Sequence, residues 1–345
     1  MMNPMMTALV WTAPRRLEMQ RIPAPRPADG EVLLAVGAVG ICGSELSGYL
    51  GQSSIRVPPL VMGHEAAGTI IDGGGRLADG APAVAGQRVA FNPLLVCGTC
   101  DRCRAGRSSI CRQRRLVGAH LAGAFADMVA VPAAQCHLLP DGISDVAGSL
   151  TEPLACGVRA VALAGAPRRL LILGAGPIGI CCLVAARAAG IGEIAISDIA
   201  ARRLALAHRY GASATIDVSS ADLLHEAARL APDGFDAVID AVGAGATRLQ
   251  ALRAVVPGGR VVFLGLHDET TELPVNYVVR QEVELVGSFA YTADDFGRAF
   301  ALLVAGALRP DADWLEERPL SAGAASFEEL LAGRARATKI VLRPA

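Results

Sequence analysis

A glycine pattern in the middle of the chain constrains the fold more than any other feature. A short apolar run at 170–173 leads into the segment 174–179, which reads G-A-G-P-I-G, and an alanine-rich stretch follows up to Ala189. This order predicts a strand, a glycine turn and a helix, as in a dinucleotide-binding βαβ unit. The fold must therefore contain at least one parallel strand pair with a crossover helix.

Each glycine of the turn has a predicted role. Gly174 permits the tight bend, Gly176 lets the backbone approach a pyrophosphate, and Gly179 lets the helix pack closely on the strand. The helix begins at Pro177 and Ile178, and its N-terminus would present amide donors to the phosphates.

An acidic residue stands where a nucleotide ribose would need it. The apolar run 193–197 predicts a second strand, and Asp198 ends it, nineteen residues after Gly179. Its carboxylate could accept hydrogen bonds from the ribose hydroxyls and would repel a 2'-phosphate, which favours NAD over NADP. Arg202 and Arg203 follow closely and could reverse that preference, so Arg203 is also a candidate cofactor-binding residue.

Apolar runs and helical patterns keep alternating after this point. Further strands are predicted at 214–218, 235–242, 260–264 and 282–287, with a helix at 221–230, and Pro257 to Gly259 predicts a turn. We therefore expect an α/β protein whose Rossmann domain, 151–290, is a doubly wound parallel sheet.

The N-terminal part has a different pattern. Short apolar runs at 31–39 and 84–91 are separated by proline and glycine clusters, which predicts a barrel-like β domain over 1–150. The last part, 291–345, ends in a strand-like run at 339–343 that we expect to return to this domain.

Four closely spaced cysteines predict a metal site in the first domain. They are Cys97, Cys100, Cys103 and Cys111, with the spacing C-x2-C-x2-C-x7-C. Four thiolates so close in sequence suit one tetrahedral structural zinc, which would hold an irregular lobe together. Buried free thiols and disulfides are the alternatives, but the polar, arginine-rich surroundings favour metal.

Composition limits the possible partners and compartment. The chain has 345 residues, 52% of them hydrophobic, and a formal net charge of -1, which gives no general attraction to nucleic acid. No signal peptide or membrane span is evident. Cysteines at metal spacing indicate reduced thiols, so we expect a cytoplasmic protein.

A second candidate metal site combines Cys42, His64 and Glu65, which flank two short turns. A thiolate, an imidazole and a carboxylate could bind zinc and leave a fourth position open, as a catalytic zinc requires. Spacing alone also allows that Cys42 and His64 are ordinary packed residues.

Taken together and in order, these motifs resemble those of the zinc-dependent medium-chain alcohol dehydrogenases, in the branch of the sorbitol, polyol and threonine dehydrogenases. The matching segments cover nearly the whole chain: 40–44, 63–65, the four clustered cysteines, 152–154 and 174–179.

The resemblance implies roles for individual residues. A catalytic zinc would lie on Cys42, His64 and Glu65, with Glu152 as a fourth ligand or as a nearby carboxylate that exchanges with water. Ser44 resembles the hydroxyl residue that takes the alcohol proton. Many relatives have a relay histidine three residues later, whereas this chain has Ser47, and water, the ribose or Tyr49 could replace it.

The resemblance also implies the reaction. We expect zinc-assisted hydride transfer between NAD(H) and a secondary alcohol or polyol, such as a sugar alcohol, a diol or an aminocyclitol-like compound, in a homodimer or homotetramer. Two other functions stay open at this point. One is a zinc-independent quinone or enoyl reductase of the same fold, and the other is a non-enzymatic dinucleotide-binding protein.

Overall fold

A computed structural model of the chain describes residues 4–344. The chain forms two compact units. One contains the chain up to Glu152 and again from Phe300 onward, and the other is Pro153–Ala299. The predicted domain limits after 150 and 290 fall two and nine residues before these divisions.

Eighteen strands are present in the described residues: β1 (Met5–Ala13), β2 (Arg16–Pro23), β3 (Glu31–Gly40), β4 (Leu60–Val61), β5 (Glu65–Gly73), β6 (Arg88–Phe91), β7 (Leu94–Leu95), β8 (Arg115–Leu116), β9 (Met128–Pro132), β10 (Cys136–Leu138), β11 (Arg169–Leu173), β12 (Glu193–Asp198), β13 (Ala214–Asp217), β14 (Phe235–Asp240), β15 (Val255–Phe263), β16 (Glu284–Gly287), β17 (Leu315–Pro319) and β18 (Lys339–Arg343). The α-helices of the same residues are α1 (Gly43–Tyr49), α2 (Asp101–Arg104), α3 (Asp145–Ser149), α4 (Thr151–Ala164), α5 (Pro177–Ala188), α6 (Ala201–Arg209), α7 (Leu223–Leu230), α8 (Gly245–Ala254), α9 (Val275–Gln281), α10 (Ala293–Val304) and α11 (Gly323–Leu331).

The unit Pro153–Ala299 is built on a six-stranded sheet in the order β13-β12-β11-β14-β15-β16, and its neighbouring strands run parallel. The chain moves outward from β11 through β12 to β13, then returns to the other side of β11 with β14. Leu173 pairs with both Ser197 and Asp240, so three carboxyl ends lie side by side at this reversal. The predicted doubly wound parallel sheet is confirmed, and its ligand-binding edge lies where the strand order reverses.

One predicted turn in this unit lies inside a strand. The turn was expected at Pro257 to Gly259, but β15 runs through these residues, and the register of β14 and β15 shifts between Phe235 and Ala237. Gly258 has a φ of +72°, which a glycine adopts without steric cost. The bend is therefore accommodated as an irregularity within the strand pair.

The other unit is mainly antiparallel. Its largest sheet has the order β10-β6-β5-β3-β18-β17, with β9 also pairing with β3, and β2-β1-β4 forms a smaller sheet. A shared apolar core contains large, fully buried side chains such as Trp11, Phe125 and Phe327. The prediction of a barrel-like β domain beside the Rossmann domain is confirmed.

The C-terminal strand returns to this unit, as expected. In β18, Val341 pairs with Gly40 and Leu342 with Val39 of β3. This pairing brings the start of β18 close to the end of β3, where Cys42 follows.

One stretch, Asp145–Ala164, is long and apolar enough to cross a membrane, but 78% of its most apolar window is buried inside the protein. Such burial is typical of a core helix, and the test alone is weak support for a membrane span.

Candidate active site

Two adjacent strands bring the three predicted catalytic ligands together. Cys42 follows β3 and is the N-cap residue of α1, whereas His64 and Glu65 stand at the start of β5. Gly40 pairs with Glu65 in the antiparallel register of β3 and β5, which places the two turns side by side. One donor atom from each of the three ligands lies within 4.8 Å of the others, and His64 and Glu65 are buried.

Glu45 joins the two turns that carry these ligands. One carboxylate oxygen accepts a hydrogen bond from the backbone N–H of Cys42 at 3.0 Å, which completes a capping box on α1. The other oxygen accepts one from the N–H of Gly63 and contacts Nδ1 of His64, each at 2.8 Å. Burial opposes ionisation of Glu45, but His64 and Arg56 lower its pKa overall. A single buried carboxylate therefore fixes both turns.

The same contact orients the imidazole. With Nδ1 of His64 bound to Glu45, Nε2 is left as the nitrogen available to a metal, an arrangement typical of metal-binding histidines. Burial lowers the pKa of His64, but the charges of Glu45 and Cys42 outweigh it and raise the pKa well above its ordinary value.

Glu65 is paired with a lysine from the far end of the chain. Nζ of Lys339, in β18, donates to Oε2 of Glu65 and to the backbone carbonyl of Ile41, the latter at 3.0 Å. Both side chains are almost fully buried, at 3% and 1% exposure. Burial opposes protonation of Lys339, but Glu65 and Cys42 raise its pKa overall.

Ser44 lies beside Cys42 and is held by an arginine. Its hydroxyl is 3.4 Å from Sγ of Cys42 and accepts a hydrogen bond from Nη2 of Arg56 at 3.2 Å. Arg56 is buried, and it also donates to the backbone carbonyls of Ser44 and Gly118.

This donor set fits zinc. A thiolate, an imidazole nitrogen and a carboxylate are all zinc ligands, and three of them leave a tetrahedral position open. Glu152 is also buried, but the group of mutually close donor atoms in the described residues does not include it. Its role as a fourth or exchanging ligand stays a prediction.

The four clustered cysteines form a second group. Their sulfur atoms lie within 4.8 Å of one another, with neighbouring S···S distances of 3.5 to 4.0 Å. Four sulfurs at about 2.3 Å from one tetrahedral zinc would be about 3.8 Å apart. Backbone N–H groups of Thr99 and Cys100 lower the pKa of Cys97 to about 6, which favours the thiolate that a metal binds. All nine cysteines of the chain are free of disulfides.

In the other unit, the glycine turn has the geometry that a dinucleotide site needs. Gly174 has a φ of +91°, and a Cβ on Gly179 would lie 1.8 Å from the carbonyl oxygen of Gly174. A Cβ on Gly176 would meet nothing within 4 Å, so open space lies over the backbone at the N-terminus of α5. Pro177 begins that helix and Ile178 follows it. A pyrophosphate would fit in this open space.

Asp198 closes the turn on the β12 side. Its carboxylate accepts hydrogen bonds from the backbone N–H groups of Ala175 at 2.8 Å and Ala200 at 2.9 Å. Nη1 of Arg203 is 3.5 Å from the same carboxylate, and its buried Nε has no hydrogen-bond partner among the described residues. The predicted pair therefore lies together at the end of β12 beside the glycine turn.

Comparisons with known proteins agree with this geometry. The family model for the alcohol dehydrogenase GroES-like domain matches residues 28–141, and the model for zinc-binding dehydrogenases matches 177–305. The chain is 35% identical to L-idonate 5-dehydrogenase of Vitis vinifera over 80% of this chain and 78% of that protein. It is 32% identical to sorbitol dehydrogenase of Bombyx mori over 86% of each. The chain belongs to the zinc-type medium-chain alcohol dehydrogenases.

A solved structure supports the assignment over the full length. A Sinorhizobium meliloti protein, assigned as a zinc-binding dehydrogenase and bound to NADP, is 31% identical with a TM-score of 0.89, covering 99% of this chain and 100% of that chain. The predicted family is thus confirmed, and the chain is an oxidoreductase that acts on CH–OH groups. Nothing in the comparisons supports the quinone or enoyl reductase, or the non-enzymatic protein.

The sequence analysis missed three contributors to this medium-chain dehydrogenase site: Glu45 as the link between the turns, Arg56 and Lys339. Glu45 had a local signal, because it follows the N-cap Cys42 by three residues as in a capping box. Arg56 and Lys339 had no such pattern, since their contacts depend on the tertiary fold.

Proposed function

We propose that this protein is an NAD-dependent dehydrogenase that interconverts a secondary alcohol or polyol and its ketone, with one catalytic and one structural zinc. The observation that carries the proposal is the group of Cys42, His64 and Glu65, which leaves one coordination position open and has the Ser44 hydroxyl beside it.

The bound groups would supply the reactive chemistry. Zinc acts as a Lewis acid that makes an alcohol easier to ionise, and the nicotinamide accepts hydride from the carbinol carbon. The chain's own residues hold these groups: Cys42, His64 and Glu65 bind the metal, and Glu45 fixes the His64 ring.

Ser44 would receive the proton of the substrate hydroxyl. The Ser44 hydroxyl can donate to Sγ of Cys42 and accepts from Arg56, which leaves one lone pair for a substrate O–H. Arg56 stays protonated and cannot accept the proton in turn. Ser47 also lacks a basic group, so we propose that water or the cofactor ribose carries the proton onward.

The preference for NAD rests on Asp198. A carboxylate at the end of β12 would accept ribose hydroxyls and repel a 2'-phosphate, although Arg203 reduces the repulsion. The NADP bound to the Sinorhizobium meliloti relative makes this preference one that needs direct measurement.

The substrate class follows from the ligand set and from the relatives. Glu65 provides a carboxylate among the three close ligands, as the polyol branch resembled in the sequence analysis would. Relatives named for idonate and sorbitol act on polyhydroxylated compounds, so a sugar alcohol or sugar acid is the substrate we propose.

The test is reduction of NAD or NADP over a panel of polyols, sugar acids and secondary alcohols, before and after chelation. We expect metal-dependent turnover with NAD. Cys42→Ser should abolish it, whereas Cys136→Ala, a buried thiol of the same unit outside both cysteine and ligand groups, should keep it. Turnover that survives both chelation and Cys42→Ser would refute the proposal.

We also propose a cytoplasmic homodimer or homotetramer. The edge strand β16 and the adjacent α9 expose Leu285 and Val279, which supports association through this side of the sheet. Sedimentation of the purified protein would give the subunit number, and fractionation of cells would test the compartment.

A further inference from the structure

Lys339 is an exception in the composition of this chain. It is the only lysine among 32 lysine and arginine residues. Arginine fills every other basic position, including the buried Arg56, so the single lysine marks a place where a compact ammonium group is required.

The space around Lys339 shows what the lysine does. A Cβ placed on Gly40 would lie 2.2 Å from Oε2 of Glu65 and 2.9 Å from Cε of Lys339. The absence of a side chain at Gly40 therefore makes room for the ion pair. The second hydrogen bond of Nζ goes to the carbonyl of Ile41, the residue before the ligand Cys42.

We propose that Lys339 is a positioning residue that holds Oε2 of Glu65, so that Glu65 offers only Oε1 to the metal and the fourth coordination position stays open for substrate. The inference rests on the proposed zinc at Cys42, His64 and Glu65. A carboxylate can bind a cation through one or both oxygens, and a partner on one oxygen favours the one-oxygen mode.

The positive charge has a second consequence. A cation close to Glu65 and Cys42 opposes binding of another cation at the same ligands. The site thus accepts weaker metal binding in return for an open position. Removing the charge should tighten zinc binding and hinder the substrate.

The first test uses the wild-type protein. Because the chain has one lysine, protein labelled with ¹⁵N-lysine has one side-chain signal, and it reports on Lys339 alone. We expect a slowly exchanging ammonium signal in the metal-free protein that persists after zinc loading. A signal that moves to the position of a solvated lysine on zinc loading would mean that the metal takes both oxygens, and would overturn the proposal.

The second test uses Lys339→Met. We expect zinc at the Cys42 site to resist a competing chelator about tenfold more strongly, or better, than in the wild type. The KM for the alcohol should rise more than kcat falls. The matched control is Arg343→Met, which removes a cation from the same strand, where it pairs with Glu317 at the surface, and should change neither quantity. Weaker zinc binding in Lys339→Met would overturn the proposal.

Failure of the proposed function has a different result. A wild-type chain that binds zinc only at the four clustered cysteines and turns over no alcohol would contradict the dehydrogenase. A wild-type chain that binds two zinc ions and turns over alcohol, but loses the lysine–carboxylate pair on zinc loading, would contradict only the role of Lys339.

Discussion

Replacing Arg56 with methionine tests how the Ser44 hydroxyl is held. Arg56 is 5% exposed and donates three hydrogen bonds of 3.2 to 3.3 Å, one to the Ser44 hydroxyl and two to backbone carbonyls. Gly48 makes room for it, because a Cβ there would lie 2.7 Å from Cδ of Arg56. Methionine would fill much of the same volume and make none of the three bonds.

The expected magnitude follows from the bond count. A hydrogen bond to a charged group contributes about 1.5 to 3 kcal/mol. At 3.2 Å the Arg56–Ser44 hydroxyl bond belongs at the lower end, so we expect a coupling energy of about 1 to 2 kcal/mol between the two side chains. The two carbonyl bonds are lost in Arg56→Met whether or not Ser44 is present. Arg56→Met should therefore destabilise by about 3 to 5 kcal/mol and Ser44→Ala by less.

Urea unfolding of the wild type, both single variants and the double variant measures this coupling. Both tryptophans, Trp11 and Trp314, are fully buried in the unit that contains Ser44, so their fluorescence follows this unit alone. Arg76→Met is the matched control, because Arg76 is exposed and donates to one backbone carbonyl.

Two results would refute the reasoning. Single-variant effects that add within about 0.5 kcal/mol would mean that the bond to the hydroxyl contributes nothing measurable. The second result concerns turnover. If Arg56 holds a hydroxyl that the reaction uses, Arg56→Met should lower kcat by about tenfold or more in the Ser44 background and by much less in the Ser44→Ala background. An equal loss in both backgrounds would show that Arg56 acts only on the backbone.

Three further changes probe the other sites. Cys103→Ser should remove one zinc per chain and leave the zinc on Cys42, as measured by metal analysis; loss of both ions would contradict two independent sites. Asp198→Ala should raise the NADP-to-NAD ratio of kcat/KM about tenfold, and an unchanged ratio would exclude Asp198 from cofactor choice. Burial and the hydrogen bond to Glu328 raise the pKa of Tyr49 to about 12. The pKa in the folded state is above the ordinary value of about 10, so this contribution is complete below pH 10 and lost as the pH rises towards 12. Tyr49→Phe should therefore lose less stability than the wild type between pH 9 and 11, measured by urea midpoints, and parallel losses would contradict this.

The features that could be predicted from sequence are those whose parts are close together along the chain. The glycine turn and the four cysteines are each contained in about fifteen residues, and the chemistry they serve fixes their spacing. Strand limits in the Rossmann unit were predicted well for β11 and β12, because buried parallel strands are continuous apolar runs. At Pro257 to Gly259 the turn residues lie within β15, since a strand pair can absorb a glycine bend as an irregularity.

The contacts that could not be predicted join distant parts of the chain. Lys339 is 274 residues from Glu65, and only the pairing of β18 with β3 brings them together. Arg56 reaches Ser44 from a segment without regular structure, which has no periodic pattern to indicate direction. In both cases the residue type was visible, but its partner was set by tertiary packing.

These unpredicted residues change the charge argument for Glu152. With Cys42, Glu65 and Glu152 alone, the anions exceed the charge of one zinc ion, which would weaken its pull on an alcohol. The structure adds Glu45 on the negative side, and Lys339 and Arg56 on the positive side, all buried. Counting these groups, Glu152 would bring the surroundings of the metal to neutrality rather than to a net negative charge. If Glu152 gives way to the substrate, the site becomes net positive, and a positive site stabilises an ionised alcohol more than a neutral one. The fixed cations thus give a physical reason for an exchangeable carboxylate at this position, which the ligands alone do not.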